Sequence, residues 1–586
     1  MMNSIYSQQD TVALNSRQGA INHILELGRR MTVCSWDLIF KQGQVANATI
    51  LIVEGEVETF EFDEILEMET NHRKFGIGQL LANPSDQGHH HHVNARALQS
   101  TALCVLDRDT THALMDGSLP QSKYFFQLMR ETLTAQTNTA AGEIRDIHSP
   151  VIDKILQRSK NAQASLKNIT ETSLDEVIVE IADRVNREAW SLAQQAILET
   201  GMGRLEHRIQ KIMLGTLEVA ASLKGKPGVG SLSIEADGVE KMLMPMGVIL
   251  GLIPITNPVE TLVFKVLIAL KSRNAIVLSC HRDAKKVSRT TVTIIRRVLR
   301  EHNVEEDIVQ LPDVPIGRKV TQLLMRHKDM SFILATGGES VVQESYRSGT
   351  PSIGVGKGNA PVWVREDANL ETAANMIVNS KAFDNGVVCG SENNIIVSRA
   401  VSKLFTENMV KYNAAVLTPE EEHLLIAHCF DTKGIQRIWL GKSAAAIAEH
   451  AGICRTYPIE LLVCPVAKDD YSNLLLCEKL APTVSLIEVV NDEEALALAQ
   501  KILENEGRGH TAIIHSNDRQ AIETFTLAVD VSRVLVNSPG TQGCIGACNG
   551  LQLSWTLGCG TGGGGSTSDN VGYEHLMNKK RLAFSH

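Results

Sequence analysis

The stretch that decides the fold is GVILGLIPITNPVETLVFKVLIALKSRNAIVLSC, residues 247–280. Its two ends are short, apolar, strand-like segments, and the residues between them are helix-like. The same alternation continues in three further apolar segments, DIVQLP (307–312), SFILATGG (331–338) and SIGVG (352–356). Strands that alternate with helices predict an α/β fold with a parallel sheet covered on both faces. Ligands bind such sheets at the carboxyl ends of the strands, so we expect the chemistry in the loops that follow them.

Length and composition indicate a multidomain globular protein. A chain of 586 residues is too long for one hydrophobic core, and 43% hydrophobic against 21% charged residues argues against bulk disorder. The formal net charge of −10 argues against a nucleic-acid partner. The N-terminal residues show no signal-peptide pattern, and prolines interrupt the longest apolar stretch. We therefore expect a cytoplasmic protein without a membrane span.

The cysteine pattern favours free thiols over disulfides. The eleven cysteines include no C-x-x-C pair, as is typical of reduced proteins. Cys544 and Cys548 are four residues apart, but no second pair accompanies them. We therefore predict no metal site.

The N-terminal part differs from the rest of the chain in its sequence pattern. Residues 36–109 contain short strand-like segments separated by glycines, and residues 119–147 are helix-like. The segment IHSPV, residues 147–151, predicts a domain boundary, because a residue before proline disfavours the helical conformation. In the amphipathic helix that follows, Ser173 and Glu176 predict a capping box.

Two glycines and an asparagine follow predicted strands. The amide of Asn257, which lies after GVILGLIP, can donate a hydrogen bond to a developing oxyanion, although an Asn-Pro turn explains the same residue. Gly337 and Gly338 lie between a strand and a helix start, where a pyrophosphate can approach the backbone amides.

The segment FDNGVVCGSENN, residues 383–394, presents Cys389 beside a glycine turn. A thiolate there can add to an aldehyde, lose hydride to a nicotinamide and hold the acyl group as a thioester. The alternative for a lone cysteine is a small buried hydrophobe.

Seven motifs in one order resemble the coenzyme A-acylating branch of the aldehyde dehydrogenase superfamily. They are PITNP (254–258), ATGG (335–338), GVGKGNAPV (354–362), FDNGVVCGSEN (383–393), EKLAP (478–482), GHTA (509–512) and TLGCGTGGGGSTSDNVGYEHLMNKK (556–580). The chain is most similar to acetaldehyde dehydrogenases and to the aldehyde dehydrogenase half of bifunctional aldehyde/alcohol dehydrogenases. The resemblance covers residues 170–583.

The resemblance implies a set of site residues. It makes Cys389 the nucleophile, Asn257 an oxyanion donor together with the Cys389 backbone N–H, and His510 an acid/base group or a coenzyme A contact. It implies that seven further residues bind the nicotinamide cofactor: Thr256, Ser279, Thr336, Gly337, Gly338, Gly356 and Glu478. Of these, Glu478 would lie near the nicotinamide ribose.

One departure from the wider superfamily predicts the reaction. Hydrolytic aldehyde dehydrogenases carry a general-base glutamate where this chain has Val355. Valine cannot activate water, so the thioester should persist until coenzyme A displaces the acyl group. The resemblance thus implies conversion of an aldehyde, CoA and NAD+ to acyl-CoA and NADH, and short aliphatic aldehydes are the default substrates. NADP stays an alternative, because His281 and Arg282 lie where the adenosine ribose would be read.

The resemblance also implies the domain organisation. It predicts an aldehyde dehydrogenase fold with a Rossmann-like NAD(P)-binding domain at 151–385, an α/β catalytic domain at 386–555 and an oligomerisation segment at 556–586. In this family the last segment leads to a strand that pairs with a neighbouring subunit, so a homo-oligomer is implied.

Residues 1–150 resemble the β-roll of cyclic nucleotide-binding domains followed by a connecting helix. The family's phosphate cassette offers a Glu and an Arg, for which this chain has Gln79 and His91; Arg96 lies five residues further on. A neutral histidine is a poor substitute for arginine toward a cyclic phosphate. We therefore favour a docking or assembly module over a cyclic nucleotide sensor. The competing function for the whole chain is a catalytically silent, nucleotide-responsive scaffold.

Overall fold

A computed structural model of the protein describes residues 21–35, 37–41, 48–63, 68–75, 79–81, 94–129, 132, 149–235, 238–312, 318–467 and 474–585. The chain divides into two compact units, residues 1–146 and 147–586. Within the described ranges, no helix is both long and apolar enough to cross a membrane.

The first unit is rich in antiparallel strands. Its strands are β1 (Arg29–Val33), β2 (Leu38–Phe40), β3 (Ala48–Glu54), β4 (Val57–Asp63), β5 (Met68–Phe75), β6 (Leu80–Leu81), β7 (Asn94–Ala97) and β8 (Thr101–Asp107), followed by helix α1 (Arg108–Met115). They form two four-stranded sheets, in the orders β1-β8-β3-β6 and β2-β7-β4-β5. The predicted β-rich unit is confirmed, whereas its description as a β-roll stays a prediction.

The predicted phosphate cassette is only partly within the described residues. His91, which belongs to a run of four histidines at 89–92, lies outside them. The guanidinium of Arg96 pairs with the Glu58 carboxylate at 2.8 Å, and both side chains are largely buried. Arg96 is therefore already bound to a carboxylate.

The second unit alternates helices and strands. Its helices are α2 (Ser149–Ser165), α3 (Glu171–Arg187), α4 (Ala189–Thr200), α5 (Leu205–Met213), α6 (Val219–Leu223), α7 (Pro258–Lys271), α8 (Lys285–Glu301), α9 (Arg318–Arg326), α10 (Glu339–Arg347), α11 (Leu370–Ala382), α12 (Arg399–Lys411), α13 (Pro419–Cys429), α14 (Ala444–His450), α15 (Asp492–Asn505), α16 (Arg519–Ala528) and α17 (Gly540–Cys544). Its strands are β9 (Leu232–Ile234), β10 (Glu240–Pro245), β11 (Val248–Ile253), β12 (Ala275–Cys280), β13 (Val309–Gln310), β14 (Phe332–Thr336), β15 (Ser352–Val355), β16 (Ala360–Val364), β17 (Glu392–Ser398), β18 (Ala414–Val416), β19 (Phe430–Asp431), β20 (Gly434–Ile435), β21 (Leu461–Pro465), β22 (Thr483–Val489), β23 (Gly509–His515), β24 (Val531–Val536) and β25 (Met577–Leu582).

The five strands predicted from the apolar segments form one parallel sheet in the order β13-β12-β11-β14-β15. Leu252 on β11 lies opposite Ser279 on β12 and Ala335 on β14. The carboxyl ends of these three strands therefore lie side by side. All residues of β11 and β12 are buried, which explains why their sequences are apolar throughout rather than alternating. The predicted α/β fold is confirmed.

A second parallel sheet has seven strands in the order β18-β21-β22-β17-β16-β23-β24. Strand β17 begins at Glu392, three residues after Cys389, and β23 carries His510. We call residues 383–391, which carry the candidate nucleophile Cys389, the nucleophile loop. It leads into the second sheet, whereas Asn257 follows a strand of the first.

The C-terminal strand belongs to a three-stranded antiparallel sheet, β25-β10-β9. Leu582 on β25 lies opposite Glu240 on β10 of the same chain. The resemblance implied pairing of this strand with a neighbouring subunit. Here one edge of β25 is used within the chain, so such pairing would have to use the other edge.

The predicted capping box at Ser173 is wrong. Helix α3 begins at Glu171, and the side chain of Thr170 accepts the hydrogen bond from the Ser173 N–H at 3.1 Å. Thr170 has an extended backbone and a side-chain oxygen, which is what an N-cap requires.

Candidate active site

A cavity of about 680 Å³ lies at the carboxyl ends of β11, β12 and β14. It is lined by nine of the ten predicted site residues: Thr256, Asn257, Ser279, Thr336, Gly337, Gly338, Gly356, Cys389 and Glu478. The tenth, His510, is fully buried and does not line it. One cavity therefore brings the candidate nucleophile together with the candidate oxyanion donor and the glycine turns.

The glycine end of the cavity fits a dinucleotide phosphate. A Cβ added at Gly338 or at Gly356 would meet no described atom within 4 Å, so both glycines face open space. Gly338 also caps α10 without any side-chain hydrogen bond, which leaves the first backbone N–H groups of that helix free of a side-chain cap. An uncapped helix N-terminus next to glycines suits an anion, because its N–H groups and the helix dipole both favour negative charge.

A buried lysine organises the floor of this end. The Nζ of Lys265 donates to the carbonyl oxygens of Leu252 at 2.7 Å and Leu334 at 2.9 Å, and to Thr336 Oγ1 at 3.0 Å. Lys265 thereby joins the ends of β11 and β14. Because the side chain is completely buried, its pKa falls to about 7.

The nucleophile loop is held in an uncommon backbone conformation. Asp384 and Asn385 have φ of 49° and 55°, in the left-handed region that non-glycine residues rarely adopt. Gly386 follows with φ of 75°, and a Cβ there would lie 2.6 Å from the backbone of Ala481. This turn delivers Cys389, partly exposed, to the cavity.

The thiol of Cys389 is protonated at neutral pH. Burial raises its pKa to about 12, the charge of Glu478 and the thiol of Cys559 act in the same direction, and Arg533 lowers it. A sulfur nucleophile reacts as the thiolate, so Cys389 needs a proton acceptor.

Two titratable groups near the thiol differ in protonation. Glu478 accepts a hydrogen bond from the Gly358 N–H at 3.0 Å, and burial followed by the charge of Glu506 raises its pKa to about 7. Burial and the nearby Arg533 lower the pKa of His510 to about 3, so the imidazole is neutral at pH 7.

The ring of His510 lies beside Gly390, the residue that follows Cys389. Its Cε1 is 3.6 Å from the position that a Cβ on Gly390 would occupy, and its Nδ1 lies 2.9 Å from Thr511 Oγ1. Its Nε2 is buried without a hydrogen-bond partner among the described residues.

Asn257 occupies the N-cap position of α7, with Pro258 as the first helical residue. Its Nδ2 donates to Thr256 Oγ1 at 3.2 Å, and its Oδ1 has no partner in the described part of the chain. Asn257 therefore combines the N-cap position of an Asn-Pro helix start with a place on the wall of the cavity. An amide that faces the same cavity as a thiol can stabilise an oxyanion formed on a carbonyl carbon there.

Comparison with known proteins agrees with this geometry. Residues 128–567 match the Aldehyde dehydrogenase family. The chain belongs to that family. Aldehyde-alcohol dehydrogenase 2 of Entamoeba histolytica is 34% identical over 451 residues, which cover 74% of this chain and 52% of the relative. The chain spans about half the length of the first curated relatives it matches.

Solved aldehyde dehydrogenases share the fold over about three quarters of this chain. An acetylating aldehyde dehydrogenase from Geobacillus thermoglucosidasius matches with a TM-score of 0.72 and 35% identity, over 76% of this chain and 99% of that one. A propionaldehyde dehydrogenase from Rhodopseudomonas palustris, solved with bound CoA and an acylated cysteine, matches with a TM-score of 0.67 and 25% identity, over 74% and 97%.

Within this aldehyde dehydrogenase, Val355 also lines the cavity, and it is almost fully buried. The described carboxyl groups on the cavity wall are those of Glu344 and Glu478. Position 355 therefore contributes an apolar surface to the cavity, at the place where the resemblance implies a general base in hydrolytic members of the superfamily.

Sequence reasoning missed two buried cations at the site. Besides Lys265, there is Arg533, whose charge acts on the pKa of the Cys389 thiol and which donates to the carbonyl oxygens of His510 at 2.9 Å and Ser568 at 3.3 Å. For Lys265 a signal existed, because it is a charged residue inside the apolar run VETLVFKVLIAL. For Arg533, which lies on β24 far along the chain from Cys389, we find no such signal.

Proposed function

We propose that this aldehyde dehydrogenase converts an aldehyde, CoA and NAD+ to acyl-CoA, NADH and a proton, and that it can run in reverse. The observation that carries the proposal is Val355: the cavity holds a candidate sulfur nucleophile, while the position of the water-activating base is an aliphatic side chain. A thioester formed on Cys389 would then await a second thiol rather than water.

The residues of this chain would act in the following order. The Cys389 thiol loses its proton and its sulfur adds to the aldehyde carbon, while the Asn257 Nδ2 and the Cys389 N–H donate to the new oxyanion. Bound NAD+ supplies the hydride acceptor when the oxyanion collapses to the thioester. The sulfur of CoA then attacks the thioester carbon, acyl-CoA leaves, and Cys389 recovers its proton.

The cofactor and substrate preferences belong to the same proposal. The glycine end of the cavity supports a dinucleotide, and NAD is favoured, with NADP as the alternative. Arg282 lies on the cavity wall and is largely exposed, so it can turn toward a 2′-phosphate. The remaining lining near Cys389 is apolar, including Val387, Ile545 and Trp555, which suits short aliphatic aldehydes.

We also propose that the chain assembles into a homo-oligomer. A homo-oligomer is supported by the free edge of β25 among the described strands and by exposed apolar residues on β9, such as Leu232 and Ile234. For the first unit, a docking or assembly role remains favoured over cyclic nucleotide binding, because Arg96 is already paired with Glu58.

The test is an NADH-formation assay on the purified full chain with acetaldehyde or propionaldehyde. We expect activity that requires CoA, that yields acyl-CoA, and that Cys389→Ala abolishes. The matched control is Cys454→Ala, which removes an exposed cysteine from another part of the same unit. NAD+ reduction that proceeds equally without CoA and releases the free acid would disprove the acylating reaction. A silent scaffold is disfavoured because the nucleophile, the amide and the glycine turns share one cavity.

A further inference from the structure

Four buried charged residues lie between the loop of Asn257 and the loop of Cys389. They are Arg208, Lys211, Glu260 and Asp384, each 1% exposed or less. We call them the charge cluster. Arg208 and Lys211 lie on α5, Glu260 lies in the first turn of α7, and Asp384 lies in the turn that leads to Cys389.

One side of the charge cluster fixes the nucleophile loop. Asp384 Oδ2 lies 2.6 Å from Lys211 Nζ and 3.2 Å from Arg208 Nε. Its Oδ1 accepts a hydrogen bond from the Arg204 N–H at 2.9 Å. The backbone N–H of Asp384 donates to His207 Nδ1 at 2.8 Å. Helix α5 therefore holds Asp384 by both its side chain and its backbone, in the left-handed conformation described above.

The other side of the charge cluster fixes the loop of Asn257. Arg208 Nη1 donates to the carbonyl oxygen of Thr256 at 2.6 Å. Glu260, three residues after Asn257, lies 3.4 Å from Lys211 Nζ. Because Thr256 directly precedes Asn257, the orientation of the Asn257 amide depends on the position of Arg208.

The charge cluster has little room to rearrange. A Cβ added at Gly203 would lie 2.3 Å from Asp384 Oδ1 and 2.5 Å from Arg208 Nε, and one added at Gly215 would lie 2.7 Å from the Glu260 Cβ. Burial alone would raise the pKa of Asp384, but Arg208 and Lys211 overcome this effect and hold the pKa below its ordinary value. Asp384 thus stays ionised beside Arg208 and Lys211 in a closed space.

Stability alone does not account for such a cluster. Buried ion pairs are a weak source of stability, because desolvation of the charges offsets most of their attraction. Their strict geometry does, however, set the relative position of the segments that carry them. A displacement of about 1 Å at reacting groups can cost about 100-fold in rate.

We propose that the charge cluster is a positioning device that sets the Asn257 amide against the Cys389 sulfur. This proposal rests on the proposed function and deepens it, because it explains how an oxyanion donor on one sheet is aligned with a nucleophile that leads into the other. Neither Arg208 nor Asp384 touches substrate in this scheme; both act through the two loops.

The test uses Arg208→Met and Asp384→Asn in the full-length protein. We expect each to lower kcat by about 100-fold and to change the KM for NAD+ far less, by at most about five-fold, because Thr256 alone of the seven assigned cofactor residues has a described contact with the charge cluster. The matched control is Lys271→Met, which removes another fully buried lysine that is paired with Asp175 at 2.7 Å, away from both loops. It should lower the melting temperature while kcat stays within about two-fold.

A double-mutant cycle distinguishes positioning from general damage. In an Asn257→Ala background, Arg208→Met should cost at least about ten-fold less than in wild type, because one of its two targets is gone. Equal losses in both backgrounds, or a folded Arg208→Met with wild-type kcat, would overturn the proposal. Should Arg208→Met fail to fold, Arg208→Lys carries the test, since it keeps the charge beside Asp384 but shortens the reach to Thr256.

A second measurement separates this proposal from the proposed function. The rate at which iodoacetamide alkylates Cys389, followed by mass spectrometry, needs no turnover. Asp384→Asn should change that rate by more than about three-fold, because the thiol moves relative to its surroundings. If wild-type protein shows no CoA-dependent turnover, the proposed function fails while this readout still decides the positioning role. An unchanged alkylation rate would count against the charge cluster.

Discussion

Replacement of Lys265 by methionine gives a direct test of how the floor of the cavity is built. The ammonium group lies between the ends of β11 and β14, fully buried, with two carbonyl oxygens and one hydroxyl as its hydrogen-bond acceptors. The structure shows no carboxylate bonded to it among the described residues. Its hydrogen-bond acceptors are therefore neutral dipoles, and burial lowers its pKa despite an opposing effect of Cys280.

The magnitude follows from linkage. The pKa of Lys265 falls from 10.5 to about 7 on folding, so between these values the unfolded chain binds a proton that the folded chain does not. Stability must then rise with pH across this window, by up to about 1.36 kcal/mol per pH unit. Integrated from pH 7 to pH 9, the contribution of Lys265 is about 2 kcal/mol. Well below pH 7 both states hold the proton, and Lys265 adds no pH dependence there.

The assay is urea unfolding at pH 7 and pH 9, followed by tryptophan fluorescence. Four of the five tryptophans, Trp190, Trp363, Trp439 and Trp555, lie in the second unit, so the signal reports mainly on it. Other buried groups also titrate in this range, among them Lys381, with a pKa of about 7, and Lys479, with a pKa of about 8. These groups titrate equally in wild type and in Lys265→Met. The difference between the two proteins in the pH dependence of the unfolding free energy therefore reports on Lys265 alone.

We expect the gain in unfolding free energy from pH 7 to pH 9 to be about 2 kcal/mol smaller in Lys265→Met than in wild type. The control Lys271→Met loses an ion pair with Asp175 and should be destabilised at both pH values. A gain in Lys265→Met that equals that of wild type would refute the reasoning, because it would show that the folded protein does not shift this amine.

Four further predictions concern the chemistry. Asn257→Ala should lower kcat by about 100- to 1,000-fold without loss of Cys389 alkylation, as measured by steady-state kinetics and mass spectrometry. Val355→Glu should release free acid from aldehyde and NAD+ in the absence of CoA, which wild type should not do; no acid above background would contradict the role of this position. Alkylation of Cys389 should speed up about ten-fold per pH unit from pH 7 to pH 9, since its pKa is about 12, and a plateau below pH 8 would disprove the raised pKa. Glu478→Gln should lower kcat and remove an ionisation near pH 7 from its pH profile, which a rate profile across pH 6 to 9 would show.

The parts of the fold that depend on local signals could be predicted from the sequence. Strands β11, β12 and β14 follow from apolar runs bounded by turn residues, and their carboxyl ends fixed where the site should be sought. The capping box failed for a local reason as well, because two hydroxyl residues, Thr170 and Ser173, both precede the apolar face and only the first caps the helix.

The parts that depend on distant contacts could not be predicted. Lys211 and Asp384 are 173 residues apart in the chain, and neither local sequence indicates that the two side chains are in contact. The resemblance identified His510 as a candidate site residue. Its buried position beside Gly390 and its neutral state, however, result from packing around β23. Contacts between residues far apart in the chain could not be predicted, whatever the residue types, whereas elements set by local sequence could.

For the proposed reaction, the protonation states of the site predict Glu478 rather than His510 as the proton carrier. A thiol with a pKa of about 12 resists deprotonation on attack, and the same property makes Cys389 a reluctant leaving group when CoA displaces it. In the proposed reaction, a group that takes the proton in the first step and returns it in the last would therefore speed both steps. Glu478, with a pKa of about 7, is present in both its protonated and its ionised form at neutral pH. His510, with a pKa of about 3, is present only as the neutral imidazole, which is a weak proton acceptor. Since Glu478 also lines the cavity and His510 does not, geometry and protonation select the same residue.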